Sequence, residues 1–235
     1  MNPLRVKIIK LGTSRYSRIW KFVNRIKNTT YSKLFIITDV SETALPDADH
    51  NYSYSVECLS KKITVTDKED LSLGFMDQPF DDDCFANNIS YKKGIVSLSD
   101  VDSIFADSGV NVENFFLIMI YMFIITYYIE DDSGDTLCHD DTRSCLFDMC
   151  GNKEDIIQAA TSPCICYACE SALRESELPM GLLDTLKKEL KRIKKHAFYR
   201  IKDWVTNHPI LSLLITFVST IAINVLSSFL YDFIV

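Results

Sequence analysis

Apolar and polar residues change their spacing several times along this chain, and each change marks an element. Residues 5–12, RVKIIKLG, alternate with a β-branched centre and predict a strand. TSRYSRIWKFVNRIKN (13–28) follows with a helical period behind a Thr/Ser start, and KLFIITDV (33–40) predicts a second strand. Residues 41–90 are polar, with ALPDADHNYS and DQPFDDDC as turn signals and a short strand expected at KKITVTD (61–67). KGIVSLSD (93–100) predicts a further strand. Ser99 and Asp102 have the spacing of a capping box opening a short helix to about Ala106. Strands with helices between them predict a layered α+β domain on a mixed sheet.

Two long apolar runs break this pattern. Residues 209–231, PILSLLITFVSTIAINVLSSFLY, carry no charge. At about 1.5 Å per residue they reach roughly 34 Å as a helix, enough for a bilayer core of about 30 Å. Residues 115–129, FFLIMIYMFIITYYI, reach only about 22 Å and are flanked by Glu113, Glu130, Asp131 and Asp132. They read as the central helix of a soluble domain, with a membrane-inserting segment as the alternative.

The long run is not uniformly apolar. Ser212, Thr216, Ser219, Thr220, Asn224, Ser227 and Ser228 fall on one helical stripe. Three readings stay open: hydroxyls bonding back to their own helix, a seam between copies in a homo-oligomer, or the lining of a polar pathway. Before the run, Leu183, Leu186, Leu190, Ile193, Ala197, Ile201 and Trp204 recur at helical spacing and predict one amphipathic neck helix over 176–208.

Charge sharpens this division. The net charge of −7 hides an acidic body: the first 186 residues hold 17 basic and 29 acidic side chains, a balance of −12. Residues 187–202 hold eight Lys/Arg, among them Lys191, Arg192, Lys194, Lys195, Arg200 and Lys202. An acidic body argues against general nucleic-acid binding, and a basic neck beside an apolar span fits anionic lipid headgroups. Basic residues on the N-terminal side of the span place the body in the cytoplasm, with Tyr199 and Trp204 at the interface. No signal peptide is read at the N-terminus. The expected protein is single-pass in the inner (plasma) membrane: residues 1–175 form the domain, 176–208 the neck and 209–235 the span.

Chemistry concentrates at the end of the domain. Six of the eight cysteines lie in 138–169, with His139 beside the first. A cytoplasmic compartment keeps thiols reduced, so a Cys/His cluster points to zinc. Cys166-x-x-Cys169 has knuckle spacing, and His139 with Cys145 supplies the second pair; Cys138, Cys150 and Cys164 are the alternatives. Four protein ligands leave no open position, so such a zinc is structural. Other chemistry is thin. LGTSRYS has Gly12 alone and lacks a phosphate-binding fingerprint, Asp81–Asp83 reads as a solvated loop, and His50 lies near Asp47 and Asp49 in a turn-rich stretch.

The segment resembles the archaemetzincins, zinc metallopeptidases with a minimal metzincin fold and the motif HExxHxxGx3Cx4CxM, about seventeen residues, then CxxC. Cys145-Leu146-Phe147 matches CxM with Phe147 for Met, and eighteen residues separate Phe147 from Cys166. His139 sits near the first structural cysteine of the motif, one residue off in spacing. The resemblance covers roughly residues 1–175 and implies a zincin-like fold and a structural zinc. It departs where catalysis should lie. HExxH would fall near 127–132, where this chain reads YYIEDD; Glu130 is present without a histidine. The four histidines are His50, His139, His196 and His208, with no pair at i, i+4. Without such a pair one helix cannot offer two imidazoles to a catalytic zinc, so the peptidase activity is not expected to carry over.

The expectation is a non-enzymatic, homo-oligomeric membrane effector, its zinc-stapled domain controlling a channel or pore formed by the spans. Small bacterial anti-phage effectors share this layout. A membrane-anchored metallopeptidase and a passive tail-anchored adaptor are the alternatives. A small ligand, nucleotide or oligonucleotide regulator stays open.

Overall fold

The computed structural model describes residues 2–48, 53–132, 136–195 and 197–234, apart from the side chains of Phe229 and 232–234. The chain divides into two units, Met1–Lys194 and Lys195–Val235.

Five strands form the sheet of the first unit: β1 (Leu4–Leu11), β2 (Phe35–Thr43), β3 (Leu71–Met76), β4 (Ala86–Ser90) and β5 (Lys93–Ser97). Their order is β2-β1-β3-β5-β4. β1 pairs in parallel with β2 and β3, and β3 with β5; only the edge strand β4 runs antiparallel. Helices α1 (Ser17–Ile26), α2 (Val56–Ser60), α3 (Val101–Phe105) and α4 (Val112–Tyr128) lie between and after these strands. The architecture is the expected α+β domain on a mixed sheet.

Alternation along each strand sorts its side chains to two faces. Leu4, Val6 and Ile8 of β1 and Leu71, Leu73 and Phe75 of β3 join the large core with α1 and α4. Ile9, Leu11, Met76 and Ile95 point the other way, where Tyr54, Leu59, Ile63 and Phe80 cover them. α4 is buried along nearly its whole length, including Phe115, Phe116, Ile120 and Ile124. The segment 115–129 is therefore the central helix of the domain, as its length implied. α4 approaches the sheet over Gly94, where an added Cβ would lie 2.1 Å from the Phe123 ring. A side chain at 94 would push the helix off the strand.

Several local expectations are corrected. KKITVTD forms a turn and coil, not a strand; the strand that fills the sheet centre is β3, from the following LSLGFM. All six β3 residues are buried, so the strand lacks the alternation that marks a half-exposed one. The helix at 101–105 forms, but Ser99 does not cap it: its hydroxyl donates to Asp100 Oδ2 at 2.9 Å, and Asp100, in the left-handed region at φ 63°, is the cap position.

The neck over 176–208 is not one helix. α5 (Ile156–Thr161), α6 (Tyr167–Glu175) and α7 (Leu182–Leu190) belong to the first unit. Leu183, Leu186, Leu190 and Ile193 are buried in its core. α7 is pinned by Glu189, whose buried carboxylate accepts from Ser32 Oγ (2.5 Å), the Lys33 N–H (2.7 Å) and Tyr121 Oη (2.9 Å). The second unit holds α8 (Ala197–Asn207) and α9 (Pro209–Ile234). Ala197, Ile201 and Trp204 are exposed there, so the helical spacing runs across two separate helices.

Candidate metal centre

The cysteine-rich segment folds back on itself through two isolated bridges, His139 with Asp148 and Cys145 with Cys164. Backbone bonds close each one: Met149 N–H to the His139 carbonyl (3.1 Å), Leu146 N–H to the Cys164 carbonyl (2.9 Å) and Cys164 N–H to the Ser144 carbonyl (2.8 Å). Ser144 takes φ 59° to make the turn. The fold-back sets Cys145 beside the start of α6, where Cys166 is the cap residue and Cys169 lies in the first turn.

The result is one convergent group. One ligand atom each of His139, Cys145, Cys166 and Cys169 lies within 4.8 Å of all the others. His139 Nε2 sits 3.5 Å from Cys166 Sγ. Tetrahedral zinc with Zn–S of about 2.3 Å and Zn–N of about 2.0 Å implies an S···N edge of about 3.5 Å. The four residues named from the sequence therefore fit a zinc ion. Cys138, Cys150 and Cys164 lie outside this group; Cys164 is exposed and donates to the Arg143 carbonyl at 3.6 Å.

The surroundings also suit a cation. The other imidazole nitrogen, Nδ1, lies 3.1 Å from the Asp141 carbonyl and 3.5 Å from Asp148 Oδ1. This fixes the proton on Nδ1 and leaves Nε2 free to bind metal. Asp148 is almost fully buried; its Oδ2 accepts from the N–H groups of Arg143 and Cys145, both at 2.9 Å. Burial pushes the Cys145 thiol up to about 11 and Cys169 well above the usual thiol range. Burial also acts on Cys166, but hydrogen bonds from the Cys169 backbone and from the Cys169, Cys145 and Arg143 side chains outweigh it and bring it to about 7. Three crowded thiols can all ionise only around a cation. With zinc, three thiolates and a neutral imidazole would carry a net charge of −1, which the Arg143 guanidinium, 4.0 Å from Cys166 Sγ, offsets. All four positions are taken by protein, so the ion would fasten the fold and leave no place for a reactive water.

Asp148 and Arg143 were not singled out from the sequence. Their spacing has no signature; the fold-back gives them their roles. YYIEDD closes α4: Tyr127 and Tyr128 end the helix and Glu130 takes φ 51° just beyond it. His50 and His196 lie outside the described residues.

In the second unit, Pro209–Ser228 is long and apolar enough to cross a membrane and has no buried share. Most of the polar stripe bonds to its own helix. Ser212 donates to the Pro209 carbonyl (2.7 Å), Thr216 to Ser212 (2.9 Å), Ser219 to Ile215 (2.7 Å), Thr220 to Thr216 (2.9 Å) and Ser228 to Asn224 (3.2 Å). The side chains of Asn224 and Ser227 make no hydrogen bond among the described residues. Of the basic residues assigned to the membrane surface, Lys191, Arg192 and Lys194 end the first unit. Lys195, Arg200 and Lys202 open the second, with Lys195 paired to Asp203 at 3.1 Å.

No protein-family model and no curated protein matches this chain. Among solved structures it is similar to an archaemetzincin from Methanopyrus kandleri, at 13% identity and a TM-score of 0.46, over 73% of this chain and 94% of that one. The zinc assignment rests on the four side chains and their surroundings, independently of that likeness.

Proposed function

We propose that this chain is a non-enzymatic membrane effector, with a zinc-fastened domain on the cytoplasmic face of the inner membrane and a single span that self-associates to form a channel or pore. Asn224 carries the reading. It is an amide within an apolar helix and has no hydrogen-bond partner among the described residues, so in lipid it would seek one in a neighbouring copy or in water. The basic residues before the span meet anionic headgroups and set the orientation. The closed ligand set and the missing histidine pair weigh against a peptidase. A role in bacterial anti-phage defence rests on the layout of soluble domain plus span alone.

The back-bonded hydroxyls favour a second reading, a passive tail-anchored adaptor, because they need no partner outside the helix. Reconstitution in anionic liposomes separates the two. Asn224→Leu is expected to abolish ion flux while leaving membrane insertion and zinc content intact. Flux equal to that of the unaltered chain would remove the pore. Zinc analysis tests the peptidase reading: one tightly held ion per chain is expected, and a second, exchangeable zinc with chelator-sensitive proteolysis would overturn the non-enzymatic assignment.

A further inference from the structure

α8 presents two unlike faces. Phe198, Ile201, Trp204 and Val205 are 65%, 63%, 38% and 41% exposed. At about 100° per residue they share an arc of about 120°. Arg200 and Lys202 fall just beyond that arc, one on each flank. The single acid of the helix, Asp203, lies on the far side and pairs with Lys195 at 3.1 Å. The apolar arc is therefore bordered by positive charge alone.

Length limits what such a face can meet. Pro209–Ser228 alone reaches about 30 Å as a helix, the thickness of a bilayer core. With that window in lipid, a straight continuation would carry α8 about 16 Å out from the membrane and leave its apolar arc in water. The junction permits another course. Pro209 has no N–H to give the Val205 carbonyl, so the helical ladder is interrupted there. Helical bonds close on either side of it, from the His208 N–H to the Trp204 carbonyl and from the Ser212 N–H to the His208 carbonyl, both at 2.9 Å. A helix lying in a membrane interface needs this charge pattern, because flanking Lys and Arg bury their stems and keep their heads among anionic headgroups.

We infer that α8 lies in the plane of an anionic lipid surface, with Phe198, Ile201, Trp204 and Val205 in the boundary between headgroups and acyl chains and with Arg200 and Lys202 on the headgroups. This deepens the membrane reading above and rests on α9 crossing the bilayer. It does not depend on whether the spans conduct. The chain passes from the domain to the span through this helix, which would hold the start of the span at a fixed depth.

The test places one tryptophan at a time in the full chain, reconstituted in vesicles of phosphatidylcholine and phosphatidylglycerol. Trp20→Phe and Trp204→Phe remove the two native indoles. Phe198→Trp and Tyr199→Trp then report neighbouring positions about 100° apart, and Val205→Trp and Thr206→Trp repeat the contrast two turns later. The reporters at 198 and 205 should be quenched at least threefold more by lipid brominated near the headgroup than those at 199 and 206. Aqueous iodide should show the reverse order. An upright α8 would instead lift position 198 about 9 Å above position 204 and expose it to iodide. That result, or reporters at 198 and 205 shielded from both quenchers by a protein partner or a second copy, would overturn the assignment. Phe217→Trp, read with lipid brominated deep in the chains, follows the span separately. Strong quenching at 217 with none at 198 and 205 removes the in-plane helix alone. No quenching at 217 removes the span, and the in-plane helix with it.

Discussion

The helices α4 and α9 are alike in composition and opposite in surroundings. Both are strongly apolar. α4 hides Phe115, Phe116, Ile120 and Ile124 inside the protein, whereas the apolar side chains of α9 such as Ile210, Leu213 and Phe217 are exposed. The polar atoms show the reason. Asn114 of α4 donates to the carbonyls of Ala160 (2.9 Å) and Lys194 (3.1 Å), and Tyr121 donates to Glu189 (2.9 Å). Each ties the helix to another part of its unit. Most hydroxyls of α9 turn inward to their own backbone, and Asn224 makes no side-chain hydrogen bond among the described residues. One helix forms a core, and the other is long and apolar enough to cross a membrane.

Loss of the metal should disturb this contrast most. The zinc-binding segment covers α4, since Cys145, Leu146, Phe147, Ala160 and Cys169 share its core. Cys166→Ser is expected to lose the bound zinc and the cooperative thermal transition of the first unit, while Cys164→Ser keeps both. Metal analysis and circular dichroism read the outcome; retained stoichiometric zinc in Cys166→Ser would exclude that thiol from the site.

Next comes the pin on α7. Glu189→Leu leaves Ser32, Lys33 and Tyr121 without their acceptor and should cost about 3 kcal/mol in denaturant unfolding. A loss below about 1 kcal/mol would mean that α7 docks by apolar packing alone. Gly94→Ala drives a methyl group into Phe123 and should cost about 1–3 kcal/mol, with chemical-shift changes centred on α4 and β5. The smallest effect belongs to α9. Ser219→Ala removes a hydroxyl already satisfied within its own helix, so self-association should shift by less than about 0.5 kcal/mol. A large shift there would show that Ser219 bonds across helices after all.

The metal ligands were legible in the sequence because zinc fixes both residue type and spacing. Cys166 and Cys169 are held by one helical turn, and His139 and Cys145 by the narrow reach of a short fold-back. The first strand and its helix were equally plain, since RVKIIKLG and SRIWKFVNRI carry one periodicity each. The central strand β3 was hidden because burial on both faces erases alternation. The neck misled for a related reason: leucines at helical spacing run from α7 toward α8, but spacing alone cannot tell a leucine facing a protein core from an isoleucine left exposed on a separate helix. Asp148 carried no signal, since its role depends on a fold-back that brings residue 148 beside residue 139.

The sequence by itself determined the covalent chemistry and the local rhythm: which side chains can bind zinc, which runs are long enough to cross a bilayer, and which strand opens the domain. Only the tertiary structure decided which apolar face is covered and where the neck divides. Those properties belong to pairs of distant residues, and periodicity within one segment carries no information about what packs against it.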